Sequence, residues 1–378
     1  MRTLYITNTY LFGRSGVVNA SKAFVNAFAA LSDSMTLVYP QQNDYIVEDI
    51  MKQNVKLFPV YDNRSKIVKA ISFLLGNLHR FSNETIDLFD KEKFDVVIFD
   101  SSPVSYHLIK KAKQRGLKTI TIHHNNQIEY TKDDTRPLLK YPLLFWTRKF
   151  EKQSVCNSDL NVSLTQTDAQ SLRSYYKNDA KFEVLGVFEY NKSCSMTQLS
   201  SDHESMTFVI TGQLYSLQTE NSLLPWINKY YVLLKEQYPN AKVIVAGRSP
   251  SDKLISTCRE NGIEIIPSPE DIDAIVSKAN YYICPTELGS GLKLRIMDGL
   301  KFGLEVLAHE RSARGYEYMM ENEVLYKYND QQSFIDSLKR MVSLHKKRSE
   351  VQKIYHNYFS YAAGEKRLET ILKKYNFL

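Results

Sequence analysis

Apolar positions in this chain fall into two alternating kinds of segment. Short β-branched or apolar runs end in small or polar residues, and helix-length amphipathic stretches lie between them. That alternation marks βα units, in which strands buried on both faces form a parallel sheet covered by helices. Thr3 to Thr7, Asp95 to Phe99, Lys118 to Ile122 and Asp159 to Leu164 form a first set of predicted strands. Thr207 to Thr211, Lys242 to Ala246, Ile263 to Ile266, Tyr281 to Cys284 and Glu305 to Ala308 form a second. Between the sets, residues 190–205 (YNKSCSMTQLSSDHES) are polar and aperiodic and read as a linker. The expected fold class is α/β, with two Rossmann-like, doubly wound domains facing a central cleft. Ligands of such sheets sit beyond the carboxyl ends of the strands. From Asp330 to Leu378 the pattern is helical and dense in Lys and Arg.

Composition narrows the picture a little. The chain has 378 residues, 43% of them apolar, enough for the cores of two ordinary domains and too many for a disordered chain. Its 49 basic and 42 acidic residues give a formal charge of +7, a mild excess that suits nucleotide phosphates or anionic lipid and does not require nucleic acid. Cys156, Cys194, Cys258 and Cys284 lie far apart without metal-ligand spacing, so free thiols in a reducing compartment are expected. The N-terminus turns polar too early for a signal peptide and no stretch is long and apolar enough for a membrane span, so the expectation is a cytoplasmic protein.

The most informative stretch runs from Ile283 to Gly303 (ICPTELGSGLKLRIMDGLKFG). A strand enters Pro285 and a Gly289-Ser290-Gly291 turn, and a helix is expected to begin at once, with its free backbone N–H groups converging on open space. That arrangement suits an anion. Gly289 and Gly291 let backbone approach a phosphate, Lys293 adds a positive charge, and Asp298, about two turns into the expected helix, can accept hydrogen bonds from sugar hydroxyls. A strand-to-helix turn with ordinary capping is the plain alternative.

A strand, Pro, a Gly-Ser-Gly-aliphatic-Lys turn, an acidic residue and a closing Phe302-Gly303 resemble the nucleotide-sugar site of family 4-like GT-B glycosyltransferases, the glycosyl transferases group 1. The likeness extends to Thr207–Gly212 followed by Asn221 and Trp226, to residues 239–247 (PNAKVIVAG), to residues 279–285 (ANYYICP) and to Gly315, covering most of Thr207 to Tyr318. The first half resembles the family mainly in architecture. The resemblance implies an acceptor-binding domain over 1–190, a linker over 191–205, a nucleotide-sugar domain over 206–355 and a C-terminal helix over 356–378 free to return to the first domain. It also implies donor contacts at Gly16, Gly212, Arg248, Glu287, Gly289, Ser290, Gly291, Leu292 and Asp298.

Two departures stand out. Family members carry two acidic residues eight apart; Asp298 holds the second position, but eight residues earlier stands Ser290, and the nearest carboxylate is Glu287. Many relatives also place an Arg, and a Lys a few residues on, at the strand end corresponding to Gly212. Gln213, Leu217 and Gln218 supply no cation there, which leaves Lys293 and Arg248 to neutralise a diphosphate.

In the first half, residues 8–16 (NTYLFGRSG) leave a strand and enter a helix near Val17, a glycine turn that is equally a plain turn or a ligand contact, with Arg14 available to an anion. His123 and His124 end the strand Lys118 to Ile122. Side chains alternate along a strand, so one His is expected to line the site while the other packs. The resemblance implies a His near the donor sugar, so His123, His124 and Lys293 are the candidate catalytic residues. Asp100, after the strand Val96 to Phe99, is a further polar strand end. Asp271-Ile272-Asp273 spells a metal-binding DxD but follows Ser-Pro-Glu, a helix-start signature, and Asp133-Asp134 reads as a solvated loop; no metal site is expected.

Two stretches, Arg64 to Phe81 and Leu138 to Phe150, mix cations with apolar and aromatic residues. Each suits a bilayer surface, and each suits a core helix whose long cations reach water. The sequence therefore points to a glycosyltransferase, retaining and metal-independent by resemblance, without a cofactor. It would use a nucleoside diphosphate sugar, UDP favoured, and a glycan or lipid-linked acceptor of bacterial surface polysaccharide synthesis, peripheral on the inner face of the membrane. A homo- or hetero-oligomer remains open. A nucleotide-sugar epimerase, a sugar phosphorylase and a non-catalytic partner subunit of the same fold are the alternatives.

Overall fold

A computed structural model describes residues 1–13, 16–42, 45, 47–50, 53–62, 64–74, 82–134, 137–176, 179–190, 206–289 and 291–378. The chain divides into two compact units, Met1–Cys194 with Phe359–Leu378, and Ser195–Tyr358. The expected linker, 191–205, lies outside the described residues.

The first unit holds seven parallel strands: β1 (Arg2–Thr7), β2 (Ser34–Gln41), β3 (Val55–Tyr61), β4 (Val96–Asp100), β5 (Lys118–His123), β6 (Leu160–Ser163) and β7 (Phe182–Val184), in the order β3-β2-β1-β4-β5-β6-β7. The second holds six: β8 (Thr207–Gln213), β9 (Lys242–Arg248), β10 (Glu264–Pro267), β11 (Tyr281–Cys284), β12 (Glu305–His309) and β13 (Leu325–Tyr328), in the order β10-β9-β8-β11-β12-β13. Both are doubly wound α/β sheets, and β4 and β12 are buried along their whole length, as helices on both faces demand.

The strands β2, β3, β7 and β13 escape the sequence reading for physical reasons. β3 contains Pro59, which cannot donate to a ladder and is tolerated because β3 is an edge strand. β2 carries Pro40 near its end, and β7 and β13 are edge strands of three and four residues. Asp133-Asp134, expected in a loop, closes the helix Gln127–Asp134.

The helix Gly16–Ala30 is the most buried in the first unit, with every residue from Ala20 to Ala29 in the core and Phe24 and Phe28 fully covered. Against this unit packs the last helix, Tyr361–Lys374. Arg367 donates through Nε to the Leu185 carbonyl at 3.1 Å, and Gly364 lies so close to the Phe188 ring that a Cβ there would meet it at 2.0 Å. In the second unit, Trp226, Tyr230 and Phe334 form an aromatic centre behind β8 and β13.

Candidate functional site

In both sheets the strand order reverses between the first and fourth strands of the unit, at β1/β4 and at β8/β11. Helices leave such a point on opposite faces of the sheet, and the crevice they leave lies at the carboxyl ends of the strands. The residues singled out from the sequence gather at these two places.

In the second unit, β11 runs into Pro285 and a loop that continues to Leu294. Gly289 and Gly291 adopt φ of +81° and +74°, left-handed conformations that glycine reaches without a Cβ penalty. At Gly289 space is also limiting, since a Cβ would lie 2.5 Å from Oε1 of Gln218. The helix does not begin at the glycine turn. Leu292 and Lys293 remain in the loop, Ile296 N–H bonds to the Lys293 carbonyl at 3.0 Å, and the helix spans Arg295–Lys301. Asp298 therefore stands in the first helical turn, not two turns in, and is exposed.

The loop is held at several points. The Glu287 N–H donates to Ser222 Oγ at 3.1 Å, Ser312 Oγ donates to the Thr286 carbonyl at 2.5 Å, and the buried Tyr316 hydroxyl donates to the Lys293 carbonyl at 3.0 Å. Lys293 is 9% exposed and Leu292 is half-buried. Ser290 lies outside the described residues.

A residue the sequence reading passed over completes this place. Arg295, the first of the helix, sends its guanidinium to the end of β8. Nη1 donates to the Thr211 carbonyl at 3.3 Å and Nη2 to Thr219 Oγ1 at 3.1 Å. The group rests on Gly212, where a Cβ would come within 2.7 Å of Nη1. The strand-end cation missing from the sequence around Gly212 is thus supplied from eighty residues further along the chain, by the turn that also carries Lys293. No local signal marks it, because its place beside Gly212 depends on β11 pairing with β8. Arg248, the other expected cation, ends β9 beside Gln213 with its side chain exposed.

At the ends of β11 and β12, the Glu287 carboxylate lies 3.9 Å from Nε2 of His309, and Arg311 Nη1 donates to the Glu287 carbonyl at 3.3 Å. Burial holds the His309 pKa below its ordinary value despite the carboxylates of Glu287 and Glu310 nearby. The DxD lookalike is a cap, as expected. Asp271 accepts from the Ala274 N–H at 3.0 Å and starts the helix Ile272–Ser277.

In the first unit the two adjacent histidines separate. His123 is 2% exposed, bonds through Nε2 to Asn161 Oδ1 at 2.9 Å, and is pushed down to about 4 by burial, so it packs as a neutral ring. His124 turns the other way and bonds through Nε2 to Asp100 Oδ1 at 2.5 Å. Asp100, buried at the end of β4, also accepts from Thr7 Oγ1 at 2.7 Å and Ser21 Oγ at 3.0 Å. Burial opposes its charged form, yet the positive charge of His124 and the hydrogen bonds from His124, Thr7 and Ser21 outweigh that and hold the carboxyl below its ordinary value. Nδ1 of His124 is the ring nitrogen this pairing leaves for other partners. Gly16 opens the helix Gly16–Ala30 and is exposed; Arg14 lies outside the described residues. Among the described residues no three His, Cys, Asp or Glu side chains come together as a metal ion would require.

Residues 205–343, which contain the whole of this second site, match the family of glycosyl transferases group 1. The fold of the whole chain is GT-B. The chain is 23% identical over 287 residues to an uncharacterized 44.6 kDa protein in the cps region of Klebsiella pneumoniae, a match that spans 71% of this chain and 70% of the other. Among solved structures it is similar to a glycosyltransferase from Rickettsia africae, at 13% identity and a TM-score of 0.68, covering 99% of this chain and 98% of that one. It is similar also to HepE of Anabaena in complex with UDP-glucose, at 11% identity and a TM-score of 0.66, covering 99% and 100% of the two chains. Among the described residues, no helix is long and apolar enough to cross a membrane.

Proposed function

We propose that this transferase moves a sugar from a nucleoside diphosphate sugar, UDP-linked, to a glycan or lipid-linked acceptor in the assembly of a bacterial surface polysaccharide. The anomeric configuration is retained, no metal ion takes part, and the protein works at the cytoplasmic face of the membrane. The observation that carries the reading is the Arg295 guanidinium, seated at the end of β8 beside the glycine loop that holds Lys293. UDP-glucose in the HepE complex supports the choice of nucleotide, and the cps-region relative supports the choice of product.

In this reading the bond between the anomeric carbon and the diphosphate breaks as the acceptor hydroxyl attacks from the same face. Negative charge grows on the diphosphate, and Arg295 and Lys293 meet it without reorganising. The departing diphosphate takes the acceptor proton, and Asp298 holds the ribose. His124, oriented by Asp100, serves the sugar. A non-catalytic partner subunit is the weaker reading, because the strand-end cation whose absence favoured it is present as Arg295. A nucleotide raises the melting temperature by mass action when it binds the folded state. UDP should therefore raise it, GDP and ADP less so, and Lys293→Gln should abolish the rise. No shift with any nucleoside diphosphate, and no nucleotide released from a nucleotide-sugar panel with or without acceptor, would refute the reading.

A further inference from the structure

The helix Pro137–Asn157 presents an unusual outer face. Tyr141 is 79% and Phe145 54% exposed, and Arg148, Lys149 and Lys152 are exposed beyond them. These positions follow the i, i+4, i+7, i+8, i+11 spacing of one helical stripe. Phe150 and Ser154, on the opposite side, are buried in the first unit. Soluble helices turn acids and bases to water together. Here the helix's one acidic residue, Glu151, is turned inward, where its carboxyl accepts from the Gln127 N–H at 2.6 Å and the Tyr176 hydroxyl at 3.0 Å. The stripe is therefore aromatic at one end and purely cationic at the other. The two ends are joined by Lys149, whose ammonium lies 4.5 Å from the Phe145 ring centre and 4.9 Å from that of Trp146.

We infer that this stripe is the surface by which the protein docks on an anionic phospholipid bilayer, with the helix lying flat. Exposed rings belong at the boundary of headgroups and acyl chains, and the cations beside them meet lipid phosphates. The inference deepens the proposed lipid-linked acceptor and rests on it, since an enzyme whose acceptor is membrane-bound must meet it there. The rival stretch is less suited. The helix Lys66–Leu74 exposes Ile67, Val68 and Ile71, but its Lys69 is engaged by Asp62 at 3.5 Å.

The test is cosedimentation of the full chain with vesicles of phosphatidylcholine alone and of phosphatidylcholine with phosphatidylglycerol. The wild type should bind only the second, less so as salt rises. Each cation near an anionic surface is worth about 1 kcal/mol, or roughly fivefold, so Arg148→Gln/Lys149→Gln/Lys152→Gln should weaken binding roughly a hundredfold. Tyr141→Ser/Phe145→Ser should weaken it by a separate route that salt does not relieve. Both variants should keep the wild-type melting temperature and its rise with UDP, which separates failure of this surface from failure of the nucleotide reading. Absence of wild-type binding, equal binding to both vesicles, or unchanged binding of both variants overturns the inference. So does loss of binding in Ile67→Ser/Ile71→Ser with the stripe intact, or a dimer that the stripe variants dissolve.

Discussion

Replacing Arg295 by Met keeps most of the side-chain volume and removes the guanidinium from the end of β8. The group is only half-buried, so its interaction with a bound diphosphate is best judged with an effective dielectric near that of a protein surface. Two unit charges about 4 Å apart then attract by on the order of 4 kcal/mol before screening by salt. Hydrogen bonds to charged groups contribute about 1.5–3 kcal/mol net. A loss of about 2–4 kcal/mol in nucleotide binding follows, or roughly 30- to 1000-fold in Kd. Within the protein, the change gives up two hydrogen bonds of 3.1 and 3.3 Å to the buried Thr211 and Thr219, so stability without nucleotide should also fall, by about 1–3 kcal/mol, and the affinity is compared at temperatures where both proteins are folded. The assay is titration calorimetry or fluorescence with UDP, alongside melting curves with and without it. Arg295→Lys should recover part of the affinity, since charge returns without the fork geometry. An Arg295→Met protein that binds UDP as the wild type does would refute the argument that this group faces the diphosphate.

Gly212→Ala places a methyl 2.7 Å from Arg295 Nη1 on a residue whose φ of +158° side-chain-bearing residues rarely adopt, so it should cost about 1–3 kcal/mol of stability, read as a lower melting temperature, while UDP affinity drops with the displaced cation. Gly289→Ala forces a Cβ into a left-handed residue and against Gln218, so it should cost about 1–2 kcal/mol of stability, read as a lower melting temperature. Burial pushes Glu151 up to about 8, so the stability this proton confers is complete below the ordinary glutamate range and is lost as pH rises through about 8. Wild-type melting should therefore fall as pH rises from the ordinary glutamate range to about 8, whereas Glu151→Gln, which still accepts from Gln127, should fall less; parallel curves would exclude Glu151 as the cause. Asp100 works the other way. Its depressed carboxyl gives stability above the ordinary aspartate range of about 4 that is lost as pH falls below it. Asp100→Asn should flatten acid unfolding and, by releasing His124, shift the pH profile of sugar transfer.

The residues that could be read from the sequence are those whose chemistry is local. Proline, glycine and lysine between Ile283 and Gly303 announce a loop at a strand end, and Asp271 announces a cap, because both depend on near neighbours alone. Arg295 could not be read as a strand-end cation, since its place at Gly212 arises only when β11 is seated beside β8. The two histidines show the same limit: alternation predicts that they diverge, but which one packs was decided by Asn161 on β6 and Asp100 on β4, both brought alongside by strand pairing. The edge strand β3 was missed because an edge position excuses the very proline, Pro59, that argues against a strand, and β7 and β13 because they are only three and four residues long.

The last helix of the chain belongs to the first unit, and that order of parts has a consequence for synthesis. As the chain emerges from the ribosome, the sheet from β1 to β7 is available early, but Arg367 and Gly364, which cover Leu185 and Phe188, are translated only after the whole of the second unit. Until then, apolar surface on the nascent first unit stays uncovered, the state in which growing chains are most prone to associate. A premature stop before Gly364 would damage the half that was made first.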